Sequence, residues 1–386
     1  MSSDQATEPE VLHVGLGMLT FIGLHGSNGS RIWRYFFAVG WLLGNIILPK
    51  AILGSGQEGF DSVARSLAEM IFFSDACLAV SIFVTRRKPF EQMVRVLQEI
   101  FARYEAGECL DEVRGFNLRM KKFATGYVTY IKFLVVLFLG VPIVWTLCVE
   151  IFLSEDERHE YMLVVEVEYF YLDIRRNLIH YLIYFAFCAP AVIVSAYQSC
   201  IKATVFLTSL QYGGKLFELI KIRIQGLEAV EPGAKRRDEL RKIVQLHEMS
   251  LRYTQLLEET MSFILISQMM NCMAIWCLMM VYLSTNYGPN AGNVVVLFIV
   301  LIGEMFVYCS NGTRLSENAL EVSNAIYNHK WYNEPVGMQR DMRFMIQRAQ
   351  KPTGVTAAKF YFVNNERLGI IIQASYSYYL LLKSLF

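Results

Sequence analysis

The chain has 386 residues, of which 54% are hydrophobic and only 18% charged, against about 25% charged in a soluble globular protein. Its formal net charge is +1, so no basic field points to nucleic acid. The charges gather between long uncharged stretches, the pattern of membrane spans separated by loops in a lipid bilayer.

Residues 1–10 carry Asp4, Glu8 and Glu10 and no basic residue. They lack the charged start of a cleavable signal peptide, so the amino-terminal segment, 1–32, is expected in the cytosol. Within it, 11–25 is moderately apolar and broken by glycines. It is too short to span, and two readings stand: a short re-entrant helix, or a segment lying on the membrane surface.

A bilayer is crossed by about 20 apolar residues. Seven runs qualify: 33–53, 66–85, 123–153, 180–213, 261–284, 293–312 and 368–386. The third and fourth exceed the required length and are expected to tilt or to extend past the membrane. Pro142 and Pro190 lie inside them and predict kinks. The expected fold class is an all-α membrane protein with seven transmembrane helices.

Orientation follows from the Lys and Arg bias of the loops. The stretches 86–122, 214–260 and 313–367 hold nine, nine and eight Lys or Arg, and Arg31 brings that side to 27. The other loops hold only Arg65, Arg158, Arg175 and Arg176. The bias places the amino terminus in the cytosol and, after seven spans, the carboxyl terminus outside. A G-protein-coupled receptor has the opposite topology, and neither a DRY-type triplet nor an NPxxY stands where one would need it. The sequons at Asn28 and Asn311 fall on the cytosolic side and read as chance matches.

Between the fourth and fifth spans, 214–260, two charged helices are predicted. Leu216, Leu219, Ile220, Ile224 and Leu227 form one apolar stripe. Leu240, Ile243, Val244, Leu246, Leu251 and Leu256 form the other. A turn at Glu231, Pro232 and Gly233 separates them. The stripes need a partner, which is either each other or another subunit.

Chemistry-bearing motifs are few. Cys109 lies in a charged loop and the other seven cysteines lie in apolar runs. No CxxC pair and no zinc spacing occurs, so most cysteines read as small buried side chains. No metal or cofactor is expected. The six histidines are scattered, without HExxH or a nucleophile elbow, which speaks against an enzyme. A secondary transporter would show two similar halves, and no repeat is present. Polar residues inside a membrane are costly and informative. Asp75, Lys132, Lys202, Asn271 and Glu304 qualify. The two lysines are within reach of an interface. Asp75 and Glu304 lie deeper and must face protein or water, and Asp75 is open to a ligand role.

From Phe306 onward an ordered series appears. It starts with Tyr308, Cys309, Gly312, Leu315, Ser316, Ser323, Ala325, Tyr327, Trp331 and Tyr332. It continues with Arg348-Ala349-Gln350-Lys351-Pro352, Thr356-Ala357 and Lys359-Phe360, and ends with Ala374-Ser375-Tyr376-Ser377-Tyr378. This series resembles the carboxyl-terminal signature of the insect odorant receptor family. The resemblance covers about a fifth of the chain in detail, and length, span number and topology agree with it. A gustatory-type ligand-gated channel has similar architecture, but the Tyr376-Ser377-Tyr378 ending favours the odorant branch.

The resemblance implies an odorant-gated, non-selective cation channel in the plasma membrane of a sensory neuron dendrite, passing monovalent and divalent cations. It implies a heterotetramer of a ligand-tuned subunit with the odorant receptor co-receptor. The short 214–260 loop makes this chain resemble the tuned subunit, because the co-receptor's loop is much longer. By the same resemblance, 33–312 holds six helices with the odorant pocket in their outer half. The stretch 313–367 is a cytosolic assembly region, and 368–386 is the pore-lining helix. Tyr327, Trp331, Tyr332 and Tyr376 are the assembly candidates.

In the last span Tyr378, Leu381 and Leu385 share a helical face. Such a ring of apolar side chains gates a pore by excluding water. Alignment of the carboxyl termini places Leu381 at the family's gate, with Ser384 and Leu385 near its outer filter. Lys383 either snorkels to the interface or adds positive charge at the mouth. Outside, the acids Glu155, Asp156, Glu157, Glu160, Glu166, Glu168 and Asp173 either concentrate cations or form an ordinary solvated loop.

A small volatile, mostly apolar odorant asks for an aromatic and aliphatic pocket. Topology selects Phe72, Phe73 and Ala76 from the second span and Pro142, Trp145, Thr146 and Val149 from the third. It selects Tyr184, Phe187 and Cys188 from the fourth and Met279 and Tyr282 from the fifth. Their ring content favours an aromatic or heteroaromatic volatile. Trp145 is the strongest single candidate, since its flat ring suits a small ligand and its N–H can donate.

Overall fold

The computed structural model describes residues 11–26, 31–54, 59–105, 110–152, 160–168, 172–285 and 289–385. Within a bilayer each backbone N–H and C=O needs a partner in its own segment, and the apolar runs accordingly become helices. The order is α1 (His13–Phe21), α2 (Trp33–Leu42), α3 (Leu48–Leu53), α4 (Phe60–Thr85), α5 (Arg87–Glu105) and α6 (Leu110–Phe152). There follow α7 (Leu178–Gly226), α8 (Ala234–Thr285), α9 (Pro289–Asn328), α10 (Val336–Ala349) and α11 (Asn365–Leu385). A π-helical turn, Leu43–Ile47, joins α2 to α3. It accommodates Pro49, which has no N–H to give and crowds the carbonyl of Asn45.

Six of these helical stretches are long and apolar enough to cross a membrane: Trp33–Leu53, Ser62–Thr85, Asp111–Phe152, Leu178–Ala229, Ala234–Thr285 and Val294–Asn328. The 21-residue α11 has the length, but its serines, tyrosines and charges keep it out of that group. The sequence reading of seven spans is therefore matched in six. At 1.5 Å per residue, α6 to α9 run about 60 to 80 Å, twice a hydrocarbon core. Extension past the membrane thus holds for the third and fourth spans, as expected, and for the fifth and sixth as well. Helices α6 and α7 continue through Pro142 and Pro190.

The bundle is built mainly from α7 on α9 and α4 on α8, with α5, α6 and α11 added around them. The apolar stripes of 214–260 meet within the chain: Leu216, Leu219, Ile220, Ile224, Leu227, Leu240, Ile243 and Leu246 are all buried in one core. Gly233, at φ +113, turns the chain between them. The basic stretch 86–122 is not a simple loop. It contains α5, whose Phe90, Met93, Val94, Leu97, Ile100 and Phe101 are buried at three- and four-residue spacing against α8. Segment 11–25 contains the short helix α1. It packs on α7, where a Cβ on Gly15 would meet Val205 at 2.7 Å and Tyr197 donates to the Met18 carbonyl at 3.2 Å.

The chain is not purely helical. Thr356–Ala357 and Tyr361–Phe362 pair as a small antiparallel hairpin between α10 and α11. Its turn residues Ala358 and Lys359 take φ +47 and +65. The hairpin bonds to α8 through Ala358 N–H and the Ser262 carbonyl, 3.0 Å. The segment after it packs against α9, where a side chain on Gly312 would strike the Val363 carbonyl at 2.2 Å. Of the carboxyl-terminal signature, Gly312 and the Thr356–Ala357 strand thus help seat the segment that leads into α11.

Two buried charge clusters tie the helices together. In the first, Lys202 of α7 lies 3.1 Å from Asp75 of α4 and 3.7 Å from Glu304 of α9 and donates to Gln268 of α8. Asn271 of α8 donates to Asp75 at 2.7 Å and Tyr308 to Glu304 at 2.6 Å. Lys202 therefore does not reach an interface; its two carboxylates hold it inside. In the second, Lys50 of α3 and Arg65 of α4 meet Glu69 at 2.7 and 3.0 Å, and Arg65 meets Glu166 at 3.2 Å. Glu166 also pairs with Arg175, while Glu160 lies 3.7 Å from Arg175. Of the seven acids between 155 and 173, Glu166 is thus buried and paired, and Glu155, Asp156 and Glu157 lie outside the described residues. Cys188, Cys200, Cys272, Cys277 and Cys309 are buried, Cys77 is half-buried and Cys148 is exposed; Cys109 lies outside the described residues.

Removing a cation from such a cluster leaves carboxylates buried and unpaired. Lys202→Met is expected to cost about 3 to 5 kcal/mol, read as a large drop in thermal midpoint and in surface delivery. A triple variant that adds Asp75→Asn and Glu304→Gln should recover most of it. A single variant as stable as the parent would show that the cluster does not hold the bundle.

Candidate ligand-binding cavity

A cavity of about 380 Å³ lies between α4, α6, α7 and α9. Its size is that of a small-molecule pocket. Helix α4 contributes Glu69, Phe72 and Phe73, and α7 contributes Val192, Ser195, Ala196 and Ser199. The α6 wall, Ile131, Leu134, Val135, Phe138 and Val141, repeats at helical spacing. The α9 wall runs from Val296 and Leu297 through Val300 and Leu301 to Glu304. Polar groups occur in two places: Glu69 at one, Glu304 with Ser199 and Tyr127 at the other. Each carboxylate belongs to one of the two charge clusters, so both arrive compensated and fixed in place.

The connection between α6 and α7 folds back into the bundle. Tyr161 to Val167 are buried, and Val165 lines the cavity. Tyr184 clamps this strip, its hydroxyl donating to the Val165 carbonyl and accepting from the Val165 N–H, both at 2.9 Å. Tyr181 donates to the Met162 carbonyl at 3.2 Å, and the Glu166 N–H donates to Glu69 at 2.8 Å.

Of the sequence-derived candidates, Phe72 and Phe73 line the cavity. Met279 and Tyr282 line a narrow adjoining recess that shares Glu69, Phe138 and Leu297 with it. Tyr282 also lies 5.6 Å beneath the Arg65 guanidinium. Pro142, Thr146 and Val149 are buried on one face of α6, with Val149 packed in the core that holds the folded-back strip, Tyr184 and Cys188. Ala76 is buried but outside the lining. Trp145 and Phe187 are 39% and 43% exposed and stand outside the lining; Phe187 stacks on Trp41, centroids 6.0 Å apart.

The α9 wall and Glu69 escaped the sequence reading. Glu69 is an intramembrane acid, which needs a partner, and Arg65 four residues before it was the available signal. The four-residue steps Val296–Val300–Glu304 and Leu297–Leu301 carried the other signal.

Elsewhere, Tyr327, Tyr332 and Tyr376 are exposed and Trp331 is half-buried. On α11, Leu368, Ile371 and Ser375 are buried, while Tyr378, Leu381 and Ser384 face away from the bundle. The Leu385 side chain lies outside the described residues. Lys383 lies 5.8 Å from the Tyr379 ring.

A multi-pass helical membrane protein with a largely apolar cavity between its helices has the build of a receptor for small apolar molecules. The family model described as 7tm Odorant receptor matches residues 65–376, and the chain belongs to that family. Odorant receptor 85b of Drosophila melanogaster is 26% identical over 37% of this chain and 37% of its own length. Odorant receptor 13a of the same species is 23% identical over 55% and 56%. The odorant receptor coreceptor of Harpegnathos saltator is 25% identical over 37% and 30%. The matched stretches thus span a third to about half of these relatives. The olfactory receptor OR5 of Machilis hrabei, solved in complex with eugenol, shares the fold at TM-score 0.75, 15% identity and 97% coverage of both chains.

Filling the cavity separates lining from packing. Val296→Trp or Ala196→Trp is expected to abolish binding of a small apolar ligand while surface delivery persists. Trp145→Ala should leave the dose response within about twofold, as suits an exposed side chain away from such features. A shifted response for Trp145→Ala alone would move the site to the outer face of α6.

Proposed function

We propose that this chain is the ligand-tuned subunit of an odorant-gated, non-selective cation channel formed with the odorant receptor co-receptor. The observation that carries the reading is the cavity of about 380 Å³ with aromatic and aliphatic walls. Its ligand is a small, largely apolar volatile with an aromatic ring, which Phe72, Phe73, Tyr127 and Phe138 suit by edge and face contacts. The eugenol complex of a receptor with the same fold supports an aromatic ligand. The short connection between α7 and α8, residues 227–233, supports the tuned subunit over the co-receptor.

In this reading α11 is the seventh span and lines a pore shared by four subunits. Its amino end is cytosolic and its carboxyl end extracellular, as the Lys and Arg bias requires. Only one face of α11 is buried in the protomer, which suits a helix with water on one side and neighbouring subunits on another. The exposed Tyr327, Tyr332 and Tyr376 offer aromatic surface for those neighbours.

The test is co-expression with a co-receptor and current recording across a volatile panel that pairs aromatic with aliphatic compounds of equal size. Inward cation current to aromatic members is expected; silence to every member, with both subunits at the surface, would refute the reading. The pore assignment is tested by cysteine accessibility. Leu381→Cys should react with an impermeant thiol reagent applied outside, faster with odorant present. Leu382→Cys, turned about 100° away, should react more slowly. The reverse order would place the pore on another face of the helix.

A further inference from the structure

A second cavity, of about 310 Å³, lies between α6, α7 and α9 at the opposite end of the bundle from residues 160–168. Helix α6 packs on α7 rather than extensively on α9, so α7 floors a cleft walled by the other two. Its position is set by the apolar runs. Phe116 and Arg119 come just before the α6 run begins at 123. Gln211 and Lys215 bracket the end of the α7 run at 213. Arg314 follows the end of the α9 run at 312. All three walls therefore cross the membrane boundary at this level, where lipid headgroups sit.

The charges in the cleft are not equivalent. Lys215 is buried and compensated, 2.5 Å from Glu112 and 3.2 Å from Glu218. Arg119 and Arg314 are exposed to the cleft and have no acidic partner among the described residues. Gln211, half-buried in the floor, likewise has no hydrogen-bond partner among them and can donate. Asn318 is occupied, donating to the Gly214 carbonyl at 3.2 Å and accepting from Lys221 at 3.0 Å. The free groups are thus two guanidinium forks, one on each wall, above an amide donor. Such forks match phosphate oxygens in geometry and charge, and a basic pocket between membrane helices on the cytosolic side is suited to an anionic headgroup.

We propose that this cleft binds the phosphomonoester headgroup of an anionic lipid of the inner leaflet, with Arg119 and Arg314 gripping the phosphate from opposite walls. The assignment of the leaflet rests on the topology given under the proposed function; the binding chemistry does not. A lipid held here bridges α6 to α9, the same two helices that wall the ligand cavity further along α7.

The full-length chain, reconstituted in phosphatidylcholine nanodiscs that expose both faces, is probed with a phosphatidylinositol bisphosphate. Soluble inositol trisphosphate serves as the separate arm. Wild type is expected to retain the lipid and to lose it at high salt. Arg119→Gln/Arg314→Gln should bind about thirtyfold more weakly, about fivefold for each arginine. Its melting midpoint should be unchanged, since neither residue makes an internal ion pair. The control Arg241→Gln/Arg252→Gln, the same charge change on α8, should bind as wild type does. Equal loss in the control, or no loss in the cleft variant, would overturn the site. Soluble inositol trisphosphate binding as tightly as the lipid would overturn the membrane source. Because both nanodisc faces are open, failure here cannot come from an inverted topology.

Discussion

The bundle depends on a cation that cannot leave it. Lys202 lies within the apolar run of α7, and its ammonium is held by carboxylates from α4 and α9 and an amide from α8. A single charge in hydrocarbon costs several kcal/mol, so four helices have to meet where the compensation is complete. Apolar packing alone gives little register between helices surrounded by lipid, because lipid tails are as apolar as leucine. The cluster supplies that register, and with it the relative depth of α4, α7, α8 and α9.

The second cluster repeats the solution nearer the α6–α7 connection and adds a strip of non-helical backbone. Unpaired backbone within a membrane protein is tolerated only where protein partners satisfy it. Tyr161 to Val167 obtain those partners from Tyr184, Tyr181, Glu69 and Lys50. The strip closes the cavity on one side, so the same ion pairs that place it also fix part of the pocket wall. Glu69 and Glu304 each belong to a charge cluster and to the cavity lining. A ligand touching either carboxylate touches a group already shared between helices, a direct physical route from occupancy to helix position.

The half that carries the basic stretches 86–122, 214–260 and 313–367 follows different physics. Its helices are amphipathic, and their stripes meet in one core running through α5, α7, α8, α9 and α10, as in a water-soluble bundle. The close approach at Gly312 and the hairpin contacts to α8 and α9 anchor α11 there. Helix α11 is thus rooted in that amphipathic half, while Tyr378, Leu381 and Ser384 toward its far end are exposed.

Composition and apolar run length were enough to specify a helical membrane protein and the positions of six spans, and the ordered series from Phe306 onward was enough to indicate the family. Those properties act locally: a run is apolar or not wherever its neighbours lie. The stripes of 214–260 and the turn at Gly233 were legible for the same reason. Tertiary structure alone decided which polar residues meet. Arg65 and Glu69 show the four-residue spacing of a helical ion pair, but Lys50 and Glu166 lie on other segments, and nothing in spacing says that they converge on that pair. It also decided which face of each span turns inward. Trp145 and Phe138 are both aromatic residues of α6, seven positions apart and within one apolar run. Helix periodicity places them on nearby faces, and only the position of α7 and α9 turns Phe138 to the cavity and leaves Trp145 exposed.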